Sequence, residues 1–201
     1  MDKSDYLGVA DASKHWVKRV SPAGQYFELI KQVHAETDGK KLLDVGCAEG
    51  IEVVNFTKLG FKAEGVDVDG GFIQAAKTTF PNLNFTMGDA EALPYKDESF
   101  HVVFSINTLF YTDINKSIPE FIRVLETGGI GVVGFDIRIE DLDKKTTFHQ
   151  ESREHLKDVL KRNGAQIILL GKEESRVDET PFRHEHTFYK VVFQKQPIHF
   201  G

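Results

Sequence analysis

The chain has 201 residues, 40% of them hydrophobic and 28% charged, with a formal net charge of −6. That length buries one sizeable core and leaves no room for two comfortable domains, and the composition is globular, not disordered. The acidic balance speaks against a long nucleic acid as partner, because proteins that track a phosphate backbone show a basic face.

The opening residues, MDKSDYLGVADASKHW, hold no apolar stretch of the signal-peptide type. No later run approaches the roughly 20 apolar residues that a bilayer span requires. Residues 1–40 form a helical lead-in. Ser21-Pro22 is a helix start, and Tyr26, Phe27, Ile30 and Val33 recur at helical spacing. A strand follows at Lys41–Val45, then a helix from Glu49 to Leu59 closed by Gly60. The pattern repeats: strand Phe61–Val68, helix Gly71–Thr79 stopped by Pro81, strand Leu83–Met87. The run HVVFSI makes Phe100–Ile106 a strand covered on both faces. Ile114–Leu125 is helical, and Gly128-Gly129 turns the chain into a fifth strand, Ile130–Asp136. A helix over Glu151–Asn163, capped by Gly164, leads to strands at Ala165–Leu170 and His186–Gln194. Between those two strands, residues 171–185 hold no helical pattern, so they form a hairpin and the last strand is antiparallel. Strands alternating with helices predict an α/β fold, a doubly wound open sheet of seven strands with helices on both faces. Its ligand belongs at the C-terminal ends of the strands.

Four loops at those ends carry chemistry. Asp44-Val45-Gly46-Cys47-Ala48-Glu49-Gly50 is a small-residue turn from strand to helix, which lets backbone approach a ligand and presents helix N-terminal amides. Asp67 stands about 20 residues further on, where an acid accepts hydrogen bonds from ribose hydroxyls. Val68 follows it, and Asp69 suits the N-cap of the next helix. Asp89 and Ala90 leave the third strand, where a carboxylate can accept from an exocyclic amine. Ser105-Ile106-Asn107-Thr108-Leu109-Phe110-Tyr111 leaves the fourth, with Phe110 read as core. The single cysteine, Cys47, excludes an internal disulfide and a multi-cysteine metal site, and fits a reducing, cytoplasmic setting.

From Lys41 to Asp136 the sequence resembles the Rossmann-like methyltransferases that use S-adenosylmethionine. LLDVGCAEG resembles their first motif and GVDVD their second. GDAEALPYKDESFHVVFS resembles their adenine loop and fourth strand, and FIRVLETGGIGVV their turn into the fifth. Ala48 takes the place of a middle glycine, and Thr127 that of a proline. The resemblance implies that Gly46, Cys47, Ala48 and Gly50 border the methionine part of the cofactor, with Asp44 holding its amino group. It implies Asp67 at the ribose hydroxyls, Asp89 and Ala90 at adenine, Ser105 near the sulfonium, and Val68 among the cofactor-binding residues. It also implies a seven-stranded Rossmann-like sheet whose seventh strand is antiparallel.

The expected reaction is in-line methyl transfer to a small molecule. The cofactor carries the hard chemistry, so a base is needed only for a protonated, weakly acidic nucleophile. Tyr111 and His149 are the candidates for a base or substrate handle, with His184 and His186 sharing one strand face. His184, Glu185 and His186 lack the spacing of a metal site, so no metal is expected. The expected lid over the substrate comes from residues 1–35, with Tyr6, Trp16, Tyr26 and Phe27, and from the connection 137–150. A nicotinamide oxidoreductase is the rival enzyme class, but DVGCAEG departs from G-x-G-x-x-G. Methyl transfer to a protein or RNA, and a silent cofactor-binding partner subunit, are the other readings. The acceptor and the oligomeric state are left open by the sequence.

Overall fold

A computed structural model of the chain describes Phe27, Ile30, Lys31 and residues 39–141, 146–150, 153–171, 174–178 and 184–197. In chain order the elements are β1 (Lys41–Val45), α1 (Ile51–Lys58), β2 (Lys62–Asp67), α2 (Gly70–Thr79), β3 (Asn84–Met87) and β4 (Phe100–Ile106). A 3-10 turn at Leu109–Tyr111 leads to α3 (Ile114–Val124) and β5 (Leu125–Asp141). Then come β6 (Thr146–Gln150), α4 (Arg153–Arg162), β7 (Ala165–Leu170), β8 (Glu174–Asp178) and β9 (His184–Lys195).

Seven strands form one path in the order β3-β2-β1-β4-β5-β9-β7. β1 to β5 are mutually parallel, and β9 runs antiparallel to both β5 and β7. The chain steps outward from β1 to β2 and β3, then returns to place β4 on the other side of β1. The order therefore reverses between β1 and β4, which puts the binding crevice at their C-terminal ends.

The two faces of the sheet are covered separately. α1 and α2 give Val53, Phe56, Ile73 and Ala76 to a core with Leu42, Val102, Phe104 and Ile30 of the lead-in segment. There Phe56 meets Phe104 edge to face at 4.9 Å between ring centroids. α3 and α4 give Ile118, Phe121, Leu156 and Leu160 to a core with Leu43, Val103, Val133 and Phe193. A doubly wound sheet of this sort explains why β1 and β4 read as continuous apolar runs: both of their faces are buried.

Two expectations are corrected. The fifth strand does not end at Asp136: β5 runs on to Asp141 and pairs with β6 and with the start of β9. Ile137 and Ile139 alternate with Arg138 and Glu140, the period-two pattern of an antiparallel strand with one polar face. Likewise the stretch before the last strand holds β8, a polar strand that adds to β9. The result is a ribbon, β6-β5-β9-β8, continuing the sheet past its C-terminal edge.

The β5–β9 seam is closed by fit as well as by hydrogen bonds. Gly131 pairs with Phe193, and a Cβ at Gly131 would lie 2.1 Å from the phenyl ring. Lys195 reaches from β9 to donate to the carbonyl of Leu125 at 2.7 Å. Gly131→Ala overfills this seam and is expected to lower unfolding free energy by about 1–3 kcal/mol. Urea unfolding measures it, and an unchanged midpoint would show that the ring moves aside freely.

Candidate cofactor site

Two backbone carbonyls at the C-terminal ends of neighbouring strands organise the crevice. The carbonyl of Val45 accepts hydrogen bonds from Ser105 Oγ and Thr108 Oγ1, each at 3.0 Å. The carbonyl of Val66 accepts from the amides of Gly46 and Cys47 at 2.8 and 3.1 Å. The next amide, Ala48 N–H, donates to Asp67 Oδ2 at 2.9 Å, and Gly50 N–H returns to the Cys47 carbonyl. These four loop amides are thus engaged within the protein and serve a ligand by close approach, while the helix N-terminus that follows at Ile51 carries no side-chain cap at Gly50.

Gly46 has φ +77°, and a Cβ there would sit 1.9 Å from Thr108 Oγ1. Gly50 has φ +84°, and a Cβ would strike the Phe85 ring at 2.5 Å. Both positions therefore require glycine for conformation and for space. Ala48 adopts φ +45° without being glycine, a conformation that costs an L-residue roughly 1–2 kcal/mol.

Asp44 is the electrostatic focus. It lies only 3% exposed at the end of β1, and its Oδ2 is buried without a hydrogen-bond partner. Burial pushes its carboxyl well above the usual range, and the nearby Glu52 and Asp67 push in the same direction. Burial likewise pushes the Cys47 thiol up, aided by Asp44 and Asp67, so the thiol stays neutral. The Cys47 side chain packs over Gly65, where a Cβ would meet its Sγ at 2.7 Å. Cys47 can therefore offer a ligand only its backbone.

Asp67, at the end of β2, accepts from Ala48 N–H through Oδ2 and from Asp69 N–H through Oδ1, both at 2.9 Å. Each oxygen keeps a second lone pair. Asp69 caps α2 by accepting from the amides of Gly71 and Phe72, as its position in the sequence suggested. Val68 and Met87, just past β2 and at the end of β3, are 71% and 64% exposed. Exposed Asp89 receives the Glu91 amide at 2.8 Å, and Ala90 is buried beside it.

Ser105 is fully buried, and its hydroxyl donates to the Val45 carbonyl, which ties β4 to the start of the β1 loop. Asn107 and Thr108, quoted in the sequence without roles, matter more. Asn107 has φ +63°, and its Oδ1 is buried without a partner. An asparagine directly after a buried strand was the available signal, since it tolerates the left-handed region. Met87 was missed for want of any polar atom. Phe110 is core, as expected, and packs edge to face with Tyr111 at 4.9 Å. Tyr111 is 38% exposed on the crevice side of β4. His149 lies on β6, paired with Ile139, and His186 on β9 is paired with the same residue. His184 pairs with Asp141. The side chains of these three histidines, like Tyr6, Trp16 and Tyr26, fall outside the described residues. Among the described residues no three His, Cys, Asp or Glu side chains gather to hold a metal.

Asp44 yields a pH prediction. A carboxyl raised by folding stabilises the ligand-free fold while protonated, and that contribution is lost as pH rises through the raised value. Asp44→Asn should therefore melt higher than the parent at neutral and alkaline pH, with the gap narrowing toward acid. Thermal melts in the ligand-free state across that range test it, and parallel curves would show that Asp44 is not the source. Ala48→Gly should raise stability by up to about 1 kcal/mol by relieving the left-handed alanine, net of its greater unfolded-state entropy. Denaturant titration checks the sign.

Residues 43–133 match a family model described as a methyltransferase domain. The demethylmenaquinone methyltransferase of Chlorobaculum parvum is 35% identical over 107 residues, covering 51% of this chain and 43% of that protein. The phthiotriol/phenolphthiotriol dimycocerosates methyltransferase 1 of Mycobacterium ulcerans is 35% identical over 101 residues, 48% of this chain and 37% of its own. The chain thus spans less than half the length of these curated relatives. In fold it is similar to a TehB-like SAM-dependent methyltransferase from Corynebacterium glutamicum, with TM-score 0.68 at 18% identity, covering 96% and 97% of the two chains. Motifs, family model and fold point the same way: residues 43–133 match a methyltransferase-domain model, the motifs resemble those of the Rossmann-like S-adenosylmethionine-dependent methyltransferases, and the fold is similar to that of the solved structure named above.

Proposed function

We propose that this chain is an S-adenosylmethionine-dependent methyltransferase acting on a small-molecule acceptor. One observation carries the cofactor reading. Asp44 Oδ2 and Asn107 Oδ1, at the ends of the adjacent strands β1 and β4, are buried acceptors without donors. Leaving buried polar groups unpaired costs about 1–3 kcal/mol each. A cationic amine would satisfy both, and the amino group of the cofactor's methionine part is such a donor.

The remaining residues fit the rest of the molecule. Gly46, Cys47, Ala48 and Gly50 give a backbone surface that admits close approach to the methionine part. Asp67 has lone pairs for two ribose hydroxyls. Val68 and Met87 offer apolar walls for adenine, with Asp89 and Ala90 at its edge. Bound there, the cofactor supplies a methyl group on a sulfonium, activated for transfer. The work left to the protein is to hold the acceptor in line and exclude water, which lowers a barrier by as much as ~7–11 kcal/mol. Tyr111, exposed beside β4, is the candidate to orient the acceptor or take its proton, and His149 on the ribbon is the second candidate.

The names of the two relatives, for methylation of demethylmenaquinone and of phthiotriol or phenolphthiotriol dimycocerosates, support a small-molecule acceptor over a macromolecule. The net charge of −6 supports it too. We take residues 1–201 as one domain: a lead-in to residue 40, a cofactor core to 136 and a substrate side beyond. No helix among the described residues is long and apolar enough to cross a membrane, and the lone buried Cys47 is compatible with the reducing cytoplasm.

Isothermal titration with S-adenosylmethionine, S-adenosylhomocysteine and NAD tests the class. Saturable binding of the first two, with none of NAD, is expected. Asp67→Ala should weaken both about 10–100-fold, the loss of two hydrogen bonds. Binding of NAD alone would sink the reading. Binding of the cofactor without turnover across a screen of acceptors would favour a silent subunit.

A further inference from the structure

The loop from Gly88 to Ser99, which carries Asp89 and Ala90, has little regular pairing of its own: one isolated bridge, Asp89 to Ala92. Its ends are tied by the amides of Gly88, Glu98 and Ser99 to the carbonyls of Asp67, Arg123 and Val124, and its middle is held by a pair of side chains on α3. Arg123 Nε and Nη2 donate to the two oxygens of Glu120, both at 2.7 Å. Nη2 also donates to the Leu93 carbonyl at 3.0 Å, and Nη1 to the Tyr95 carbonyl and Asp97 Oδ1, both at 2.8 Å. A guanidinium has five N–H donors, and here each has an acceptor. Glu120 Oε2 in turn accepts the Leu93 amide at 2.7 Å. The pair therefore grips the backbone of Leu93 on both sides, by its N–H and its C=O. At the N-cap of α3, the amide of Asp113 donates to Glu91 Oε1 at 2.7 Å, a second tie on the same loop.

We propose that Arg123 and Glu120 are positioning residues for the cofactor: they fix this loop so that Asp89 and Ala90 stand ready at the adenine edge. The inference rests on the adenine reading made above. Among the described residues the side-chain hydrogen bonds of Arg123 and Glu120 join them to each other and to Leu93, Tyr95 and Asp97, so they act through the loop. A loop ordered in advance spares the ligand the cost of ordering it. Lysine cannot substitute, because a single ammonium does not reproduce a planar five-donor fork.

The test is a double-mutant cycle on S-adenosylhomocysteine affinity, using Arg123→Lys, Asp89→Ala and the pair, with hydrogen exchange of residues 89–97 in the ligand-free state. Arg123→Lys should weaken binding about 10-fold and speed exchange of the loop amides. In the Asp89→Ala background the same change should cost under about 2-fold, since coupled residues are non-additive. Equal losses in both backgrounds would mark a general stabilising role and overturn the inference, as would unchanged affinity in Arg123→Lys. Should Arg123→Lys not fold, Asp97→Ala removes a single arm of the fork. It should weaken binding about 2–3-fold in the parent and leave the Asp89→Ala background unaffected, and no loss in the parent would overturn the inference. Absence of binding by the parent chain would sink the cofactor reading and this inference together, whereas binding by the parent with these variants unaffected sinks this inference alone.

Discussion

The carbonyls of Val45 and Val66 end two neighbouring parallel strands, and between them they receive four hydrogen bonds that fix the exit of the chain from β1. A buried carbonyl demands a partner. Here the partners are drawn from three separate places: the hydroxyl of Ser105 near the end of β4, that of Thr108 just after it, and the first two amides of the β1 loop. Meeting that demand sets the left-handed turn at Gly46 and brings the Ala48 amide to Asp67. The crevice is therefore a by-product of strand ends being satisfied, and its geometry is as rigid as the sheet beneath it.

Against that rigidity stand three unfavourable features within a few residues: a buried carboxyl at Asp44, a left-handed alanine at 48 and an unpaired amide oxygen at Asn107. Each costs stability in the ligand-free fold, and none is relieved by a neighbour. Strain and unpaired polar groups gather where a binding site is held open by its surroundings. The cores on either face of the sheet, with side chains such as Phe56, Phe121 and Phe193 fully enclosed, are what sustain them.

The seven strands of the main path were legible because their signals are local: buried parallel strands read as apolar runs, and glycine or proline marks the turns. Asp67, Asp69 and the glycine positions were legible for the same reason, each tied to a strand end. β6 and β8 were not, since TTFHQ and ESRVD carry no apolar period and become strands only because β5 and β9 offer edges to pair with. The bond from the Ser105 hydroxyl to a carbonyl 60 residues away in sequence was not legible, because only the fold brings the two strand ends together. Arg123 and Glu120 read as ordinary helix-surface charges. Only the fold brings Leu93 and Tyr95 to them.

The place of β9 has a consequence for synthesis on the ribosome. β9 lies between β5 and β7, antiparallel to both, and among the described residues no other strand joins β7 to the sheet. A chain emerging from its N-terminus can assemble β3-β2-β1-β4-β5 early, yet β7 and α4 must wait beside an open β5 edge until the final strand arrives. During that interval the nascent chain displays an unsatisfied sheet edge and the apolar run AQIILL, the kind of surface that chaperones cover and that aggregates when they do not. The same insertion makes closure all-or-none: one late strand seals two seams at once.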